Sequence, residues 1–82
     1  MARARLRLFA GAREAAGRSS DTFEAATVDD VLDQARANYG QQFAAVLDTA
    51  RVWVNGDEPV AGGATALADG DEVAVLPPVS GG

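Results

Sequence analysis

Arginine alternates with apolar residues near the amino end of the chain, in the segment Arg3-Ala4-Arg5-Leu6-Arg7-Leu8. Successive side chains of a β-strand point to opposite faces of the sheet, so this spacing predicts a strand with one buried face and one solvated face. The buried face has to pack against another element, which restricts the chain to layered folds. Phe9 interrupts the alternation and is predicted to be an exposed aromatic residue.

One long amphipathic helix is predicted over residues 28–39. Thr27 followed by Asp30 resembles a capping box, in which side chains satisfy free backbone N–H groups at the start of a helix. Apolar residues then recur at helical spacing, at Val28, Val31, Leu32, Ala35 and Tyr39. Gly40 is placed to end the helix. A further helical turn is indicated by Phe43, Val46 and Leu47.

Shorter elements flank this helix. Residues 12–16 have high helix propensity but precede Gly17, which predicts at most a short helical turn. Further strands are predicted at residues 21–25, 51–54 and 72–76, with tight turns at residues 55–56 and 69–71. A return strand beginning at Val60 is also predicted, with Pro59 marking it as an edge.

This order of elements predicts a single α+β domain of the ubiquitin-like β-grasp kind, a mixed sheet crossed by one main helix. The right-handed crossover rule places the last strand beside the first, in the middle of the sheet. We expect the domain to span residues 1–76, followed by a flexible, extended carboxyl-terminal tail over residues 77–82.

The composition excludes several classes of function. The chain has no Cys and no His, so no thiol nucleophile, disulfide or metal site is expected, and catalysis by this chain alone is not expected. A net charge of −5 argues against binding to nucleic acid. No segment is long and apolar enough to span a membrane, and the amino end does not resemble a signal peptide, so a cytoplasmic location is expected.

All seven basic residues are arginines, and lysine does not occur. The chain therefore cannot accept an isopeptide bond on a lysine side chain. If its carboxyl end takes part in conjugation chemistry, we expect it to act as the donor.

The sequence ends at Gly81-Gly82 after two prolines, Pro77 and Pro78. Each proline biases the preceding residue toward extended backbone, while glycine lacks a Cβ and can enter a narrow channel. Six residues can reach about 20 Å at roughly 3.3–3.6 Å each. By itself the glycine pair is equally compatible with a tail that has no function.

Four segments, taken together, resemble the small, sulfur-carrying subunit of molybdopterin synthase, within the MoaD and ThiS group of ubiquitin-like carriers. They are LFAGAREAAG at residues 8–17, VNG at 54–56, DGDEVAVLPPV at 69–79 and the final Gly81-Gly82. They occur in order over nearly the whole chain, so the combination is more specific than any one of them.

The resemblance implies that the Gly82 carboxylate is adenylated by an E1-like adenylyltransferase that uses ATP, and is then converted to a thiocarboxylate, 1-thioglycine, by a sulfur donor protein. The large catalytic subunit of molybdopterin synthase then takes up the tail, in a complex that the family suggests is a heterotetramer. There the sulfur converts precursor Z, a cyclic pyranopterin monophosphate, to molybdopterin. No cofactor is expected to stay bound to this chain.

The resemblance also implies roles for other positions. Small Gly81 permits access to the terminus, and the tail that lies in the partner's groove corresponds to Pro77, Pro78, Val79 and Ser80. Phe9 and Leu76 are candidates for an apolar contact with the large subunit. Arg13 either meets an acidic partner surface or only flanks a short helix. Ser80 stands where threonine is familiar, and Leu76 where aromatic residues are commoner.

Two alternatives stay open. The sulfur could serve thiamine or cysteine biosynthesis instead. The chain could also be a ubiquitin-like protein modifier or an interaction module whose tail does not react.

Overall fold

Four strands form one mixed sheet in the computed structural model, which describes residues 1–78. They are β1 (Ala2–Leu8), β2 (Ser20–Ala25), β3 (Arg51–Val54) and β4 (Glu72–Leu76), in the spatial order β2-β1-β4-β3. Strands β1 and β4 are parallel, and the two outer pairs are antiparallel. The last strand therefore lies beside the first in the middle of the sheet, as predicted.

Strand β1 shows the predicted alternation over its whole length, with Ala4, Leu6 and Leu8 buried and the arginines exposed. In the parallel ladder Leu6 is paired with Val73 of β4, and Leu8 with Val75. Both valines are fully buried. Because the two central strands contribute their apolar faces to the same core, the sheet buries one face and leaves the other open.

Helix α2 (Val28–Tyr39) covers the buried face and has the predicted bounds. The Asp30 N–H donates to Thr27 Oγ1 at 3.2 Å, and Asp30 Oδ2 accepts from the Ala26 N–H at 3.0 Å. Two otherwise unpaired N–H groups at the helix start are thus satisfied, in a variant of the capping box. At the other end Gly40 adopts a φ of 94°, which favours glycine and ends the helix.

Two short helices complete the core. Helix α1 (Ala10–Ala16) ends at Gly17, whose left-handed φ of 75° is the predicted stop. Helix α3 (Gln41–Leu47) packs against α1 and α2 and fully buries Phe43. Helix α1 begins two residues earlier than the sequence predicts, because Ala10 adopts a φ of 48° and joins the helix directly to β1.

The return strand predicted from Val60 is wrong. Asn55 and Gly56 form the predicted turn, with φ of 52° and 86°, but after it the chain makes only an isolated bridge between Val54 and Asp57. Val60 is 95% exposed, and the segment continues into a single 3-10 turn, Gly62–Ala64. Proline lacks the N–H that a ladder requires, so Pro59 blocks further pairing.

A polar cluster ties β2 to α2 at the side of the core. The Tyr39 hydroxyl donates to Asp21 Oδ2 at 2.6 Å, and the Arg18 guanidinium donates to the same oxygen at 3.0 Å. The Tyr39 ring packs edge-to-face on Phe43, with centroids 5.1 Å apart. The hydrogen bond from Tyr39 is the main reason that the pKa of Asp21 lies below its usual value, and burial raises the pKa of Tyr39.

This cluster makes stability depend on pH in the acidic range. A carboxyl group with a lowered folded-state pKa stabilises the fold above its unfolded pKa, about 3.9, and loses that contribution as pH falls. We expect Asp21→Asn to lower the unfolding free energy at pH 7 by about 1 kcal/mol and to flatten its decline between about pH 5 and pH 2. Urea unfolding at several pH values measures both effects.

Tyr39→Phe is the matched control, because it removes the same hydrogen bond from the other side. It should partly flatten the fall of the unfolding free energy with decreasing pH, since Arg18 still contacts Asp21. A decline as steep in Asp21→Asn as in the unmodified chain would contradict this account.

Candidate functional site

Strand β4 carries the chain to the base of the predicted tail. It is paired with β1 on one side and with β3 on the other, so its last residue, Leu76, is held in the middle of the sheet. Pro77 is half-buried and Pro78 is exposed, so the chain reaches the surface at this point. The predicted tail residues Val79, Ser80, Gly81 and Gly82 lie outside the described residues.

The open face of the sheet surrounds this exit point. Residues directly opposite each other in paired strands point to the same face of the sheet. The arginines of β1 are exposed, so the residues paired with them also lie on the open face. The side chains on it are Arg3, Arg5, Arg7, Ser20, Thr22, Glu24, Arg51, Trp53, Glu72, Ala74 and Leu76. This face thus divides into a charged end and an apolar end next to the chain exit.

The apolar end is a cluster of four residues, Phe9, Trp53, Ala74 and Leu76, which we call the docking patch. Trp53 of β3 lies directly opposite Ala74 of β4. Phe9 continues β1 in extended conformation, and its N–H donates to the Val75 carbonyl at 3.3 Å, which sets it beside Leu76. Phe9 is 38% exposed, and the other three are half-buried. Partly exposed apolar side chains grouped on one face are typical of protein interfaces.

Arg7 borders the docking patch and orients one of its members. Its guanidinium carbon lies 5.6 Å from the centroid of the Phe9 ring, within the range of a cation–π contact. The same guanidinium forms an ion pair with Glu72 at 3.5 Å. Arg7 therefore holds the Phe9 ring on the open face and links β1 to β4 across it.

The structure brings two of the predicted partner-binding residues together, since Phe9 and Leu76 directly follow Leu8 and Val75, the last pair of the parallel ladder. Arg13 lies on the exposed side of α1, and within residues 1–78 it forms no ion pair. Its proposed contact with an acidic partner stays a prediction.

Trp53 and Ala74 are members of the docking patch that sequence reasoning missed. They could have been predicted from the register between the third and fourth strands. With Val73 and Val75 facing the core, an antiparallel neighbour has to point Trp53 and Ala74 outward together.

A shallow depression of about 660 Å³ lies at the charged end of the open face. Its lining includes Arg3, Arg5, Thr22, Glu24 and Asp69. Two of the acidic side chains contact Arg3. Arg3 Nε lies 4.0 Å from Glu24, and the Arg3 backbone N–H donates to Asp69 at 2.8 Å. The lining therefore combines charged side chains of both signs.

Within residues 1–78, no group of three or more potential metal-ligating side chains occurs. No helix in that range has the length and apolar character needed to cross a membrane.

The whole arrangement matches a known family. The model of the ThiS family aligns with residues 6–82, which include the docking patch, strands β2, β3 and β4, and the carboxyl end of the chain. The chain belongs to the ThiS family. The resemblance to the MoaD and ThiS group is thereby confirmed, and this family member is a ubiquitin-like protein of the carrier and modifier type.

Its relatives include small archaeal modifier proteins and a candidate molybdopterin converting factor subunit. Small archaeal modifier protein 3 of Haloferax volcanii is 41% identical over 94% of this chain and 96% of its own length. The structure of small archaeal modifier protein 1 from Methanosarcina acetivorans superimposes with a TM-score of 0.88, at 31% identity over 100% of this chain and 98% of that one. A candidate molybdopterin converting factor subunit 1 from Pyrococcus furiosus superimposes with a TM-score of 0.81, at 26% identity over 96% of this chain and 100% of that one. The predicted β-grasp fold is confirmed by these structures.

Proposed function

We propose that this ThiS family member is the sulfur-carrying small subunit of a molybdopterin synthase. Its Gly82 carboxylate would receive sulfur as a thiocarboxylate and deliver it to precursor Z inside a large subunit. The observation that carries the proposal is the placement of the chain exit at Leu76, in the middle of the sheet and next to the docking patch. A partner that covers the patch would receive the tail at a fixed position.

The chemistry fits a chain that contains no cysteine and no histidine. An ionised carboxylate is a poor electrophile, so an E1-like adenylyltransferase first joins it to AMP from ATP and releases pyrophosphate. A persulfide on the sulfur donor protein then attacks the acyl carbon and displaces AMP. Reductive cleavage of the resulting acyl disulfide by a thiol leaves the thiocarboxylate on Gly82 and a disulfide on the donor.

The folded body serves to present the tail. Pro77 and Pro78 restrict the backbone where the chain leaves the sheet, and the six residues from Pro77 to Gly82 can span about 20 Å. The docking patch supplies aromatic and aliphatic surface of the kind that dominates binding energy at interfaces. Transfer then depends on the partner's active site, which would hold the thiocarboxylate against the pterin.

Molybdopterin synthesis is favoured over the other sulfur pathways by two segments of sequence. These are AREAAG at residues 12–17 and PPVSGG at residues 77–82. The likeness in fold and length to the candidate converting factor subunit of Pyrococcus furiosus supports the same choice.

The test is a single-turnover reaction. The chain is prepared with a thiocarboxylate at Gly82 and mixed with a molybdopterin synthase large subunit from the same genome and precursor Z. We expect molybdopterin to form in proportion to the thiocarboxylate supplied, and none with the plain carboxylate. If a chain that carries the thiocarboxylate binds the large subunit but yields no molybdopterin, the proposal that its sulfur is used to make molybdopterin is wrong.

Protein modification is the second candidate, favoured by the 41% identity to small archaeal modifier protein 3. In that case the activated Gly82 would be attacked by a lysine of a target protein. Because this chain contains no lysine, each target lysine could carry only one copy through this linkage. Mass spectrometry of conjugates isolated from cells would identify Gly82 joined to target lysines, which a pure sulfur carrier would not produce.

A further inference from the structure

The charges of this acidic chain are segregated. The open face of the sheet carries four arginines, Arg3, Arg5, Arg7 and Arg51, and two glutamates, Glu24 and Glu72, a net charge of +2. The whole chain has 7 basic and 12 acidic residues, a net charge of −5, so the remainder carries −7. Counting Asp69, which borders the far end of the face, still leaves +1 on the face and −6 elsewhere.

The positive charge extends to the edge of the docking patch. Arg51 lies directly opposite Leu76, and Arg7 lies over Phe9. Within the described part of the chain, neither Arg5 nor Arg51 forms an ion pair. These guanidinium groups are exposed and can donate hydrogen bonds to the carboxylates of a partner, in the bidentate geometry that arginine favours.

We propose that the open face fits a protein partner whose docking surface has an apolar centre bordered by carboxylates. The proposal describes the surface of the partner that the proposed function requires. It rests on the proposed function in one respect, that the molecule bound to the open face is a protein. An extended polyanion such as a nucleic acid is disfavoured, because it would also meet the −7 charge on the rest of the molecule.

The separation of positive and negative charge on this chain also orients the chain and its partner before they make contact. Complementary fields steer two proteins into the correct encounter, and like charges on the other faces oppose wrong ones. Charges at the rim of an interface act mainly on association rate and salt dependence. Binding through this face should therefore weaken as ionic strength rises and the Debye length falls from about 30 Å at 0.01 M to about 8 Å at 0.15 M.

The test uses two peptides that differ only in charge, Glu-Glu-Leu-Leu-Glu-Glu and Lys-Lys-Leu-Leu-Lys-Lys. Each is titrated into the full chain, labelled with ¹⁵N, in about 0.01 M salt. We expect the acidic peptide to shift the amide signals of β1, β3 and β4, centred on Arg7 and Arg51. The basic peptide should instead shift signals on α2, where Asp29, Asp30 and Asp33 lie.

Two variants give a matched comparison, because each changes the net charge from −5 to −6. Arg51→Gln removes a charge from the open face, and Arg36→Gln removes one from α2. We expect Arg51→Gln to weaken binding of the acidic peptide by about two- to fivefold, the range measured for exposed ion pairs, and Arg36→Gln to leave it unchanged.

The proposal is overturned if the acidic peptide shifts no signals on the open face, if the basic peptide binds that face equally well, or if the two variants behave alike. None of these outcomes affects the formation of the Gly82 thiocarboxylate, which is measured separately by mass. Failure of this inference and failure of the proposed function are therefore distinguishable.

Discussion

We expect that removal of Gly82 strongly slows the transfer of sulfur to the chain and leaves the fold intact. The shortened chain still ends in a carboxylate, but that carboxylate lies one residue, roughly 3.5 Å, short of its position in the full chain. Because a misplacement of about 1 Å at a reacting centre can cost about 10²-fold in rate, we expect a loss of at least that size. Transfer of radioactive sulfur from the donor protein to the chain measures the rate.

Stability provides the first control for this deletion. Strand β4 ends at Leu76, and within residues 1–78 the last buried core residue is Val75, so the unfolding free energy should change by less than about 0.5 kcal/mol. Ser80→Thr is the second control, because it alters the tail without shortening it and should retain the activity. A chain ending at Gly81 that accepts sulfur at the normal rate would show that the transfer does not require Gly82.

We expect that replacing Phe9 by serine weakens binding to the proposed large subunit by at least about 30-fold. Phe9 is the most exposed member of the docking patch, and aromatic residues at the centre of an interface commonly contribute 2 kcal/mol or more. Serine is chosen because Phe9 is the N-cap of α1 and has no side-chain capping bond. The new hydroxyl can cap the helix and offset the lost contact with Arg7. Isothermal titration calorimetry measures the affinity.

Val60→Ser is the matched control, since Val60 is also an exposed apolar residue but lies on the connection after β3, away from the patch. It should leave the affinity unchanged. Both variants should retain unfolding free energies within about 1 kcal/mol of the unmodified chain. Equal loss of affinity in the two variants would mean that the docking patch is not the interface.

The elements with complete local signals could be predicted from the sequence. Helix α2 has a cap at Thr27, an apolar stripe and a glycine stop, so its bounds were predicted correctly. The same is true of β3 and β4, which are bounded by turn residues. In each case the backbone conformation follows from residues within the segment itself.

The errors concern features that depend on the rest of the molecule. Ala10 has a positive φ that alanine seldom adopts, so its place in α1 could not be predicted from helix propensity. Val60 has the β-branched character of a strand residue, but after the isolated bridge between Val54 and Asp57 the chain does not pair with the edge strand β3. A strand requires a partner as well as propensity, and the partner is set by the tertiary fold.

The candidate site shows the same division. Phe9 and Leu76 could be predicted because family resemblance identified their positions. Trp53 and Ala74 required the register between β3 and β4, which a single sequence does not provide. The charge segregation likewise appeared only when the sheet order placed Arg51 on the same face as the arginines of β1.

The central claim is that the carboxyl group of Gly82 receives sulfur from other proteins, while the folded domain presents this group to a partner. The most direct test is the intact mass of the chain after incubation with ATP, the E1-like adenylyltransferase and the sulfur donor protein. The account predicts the mass increase of one oxygen-to-sulfur exchange, located on Gly82 by fragmentation and dependent on ATP. An unchanged mass, under conditions in which a known ThiS family carrier is fully converted, would contradict it.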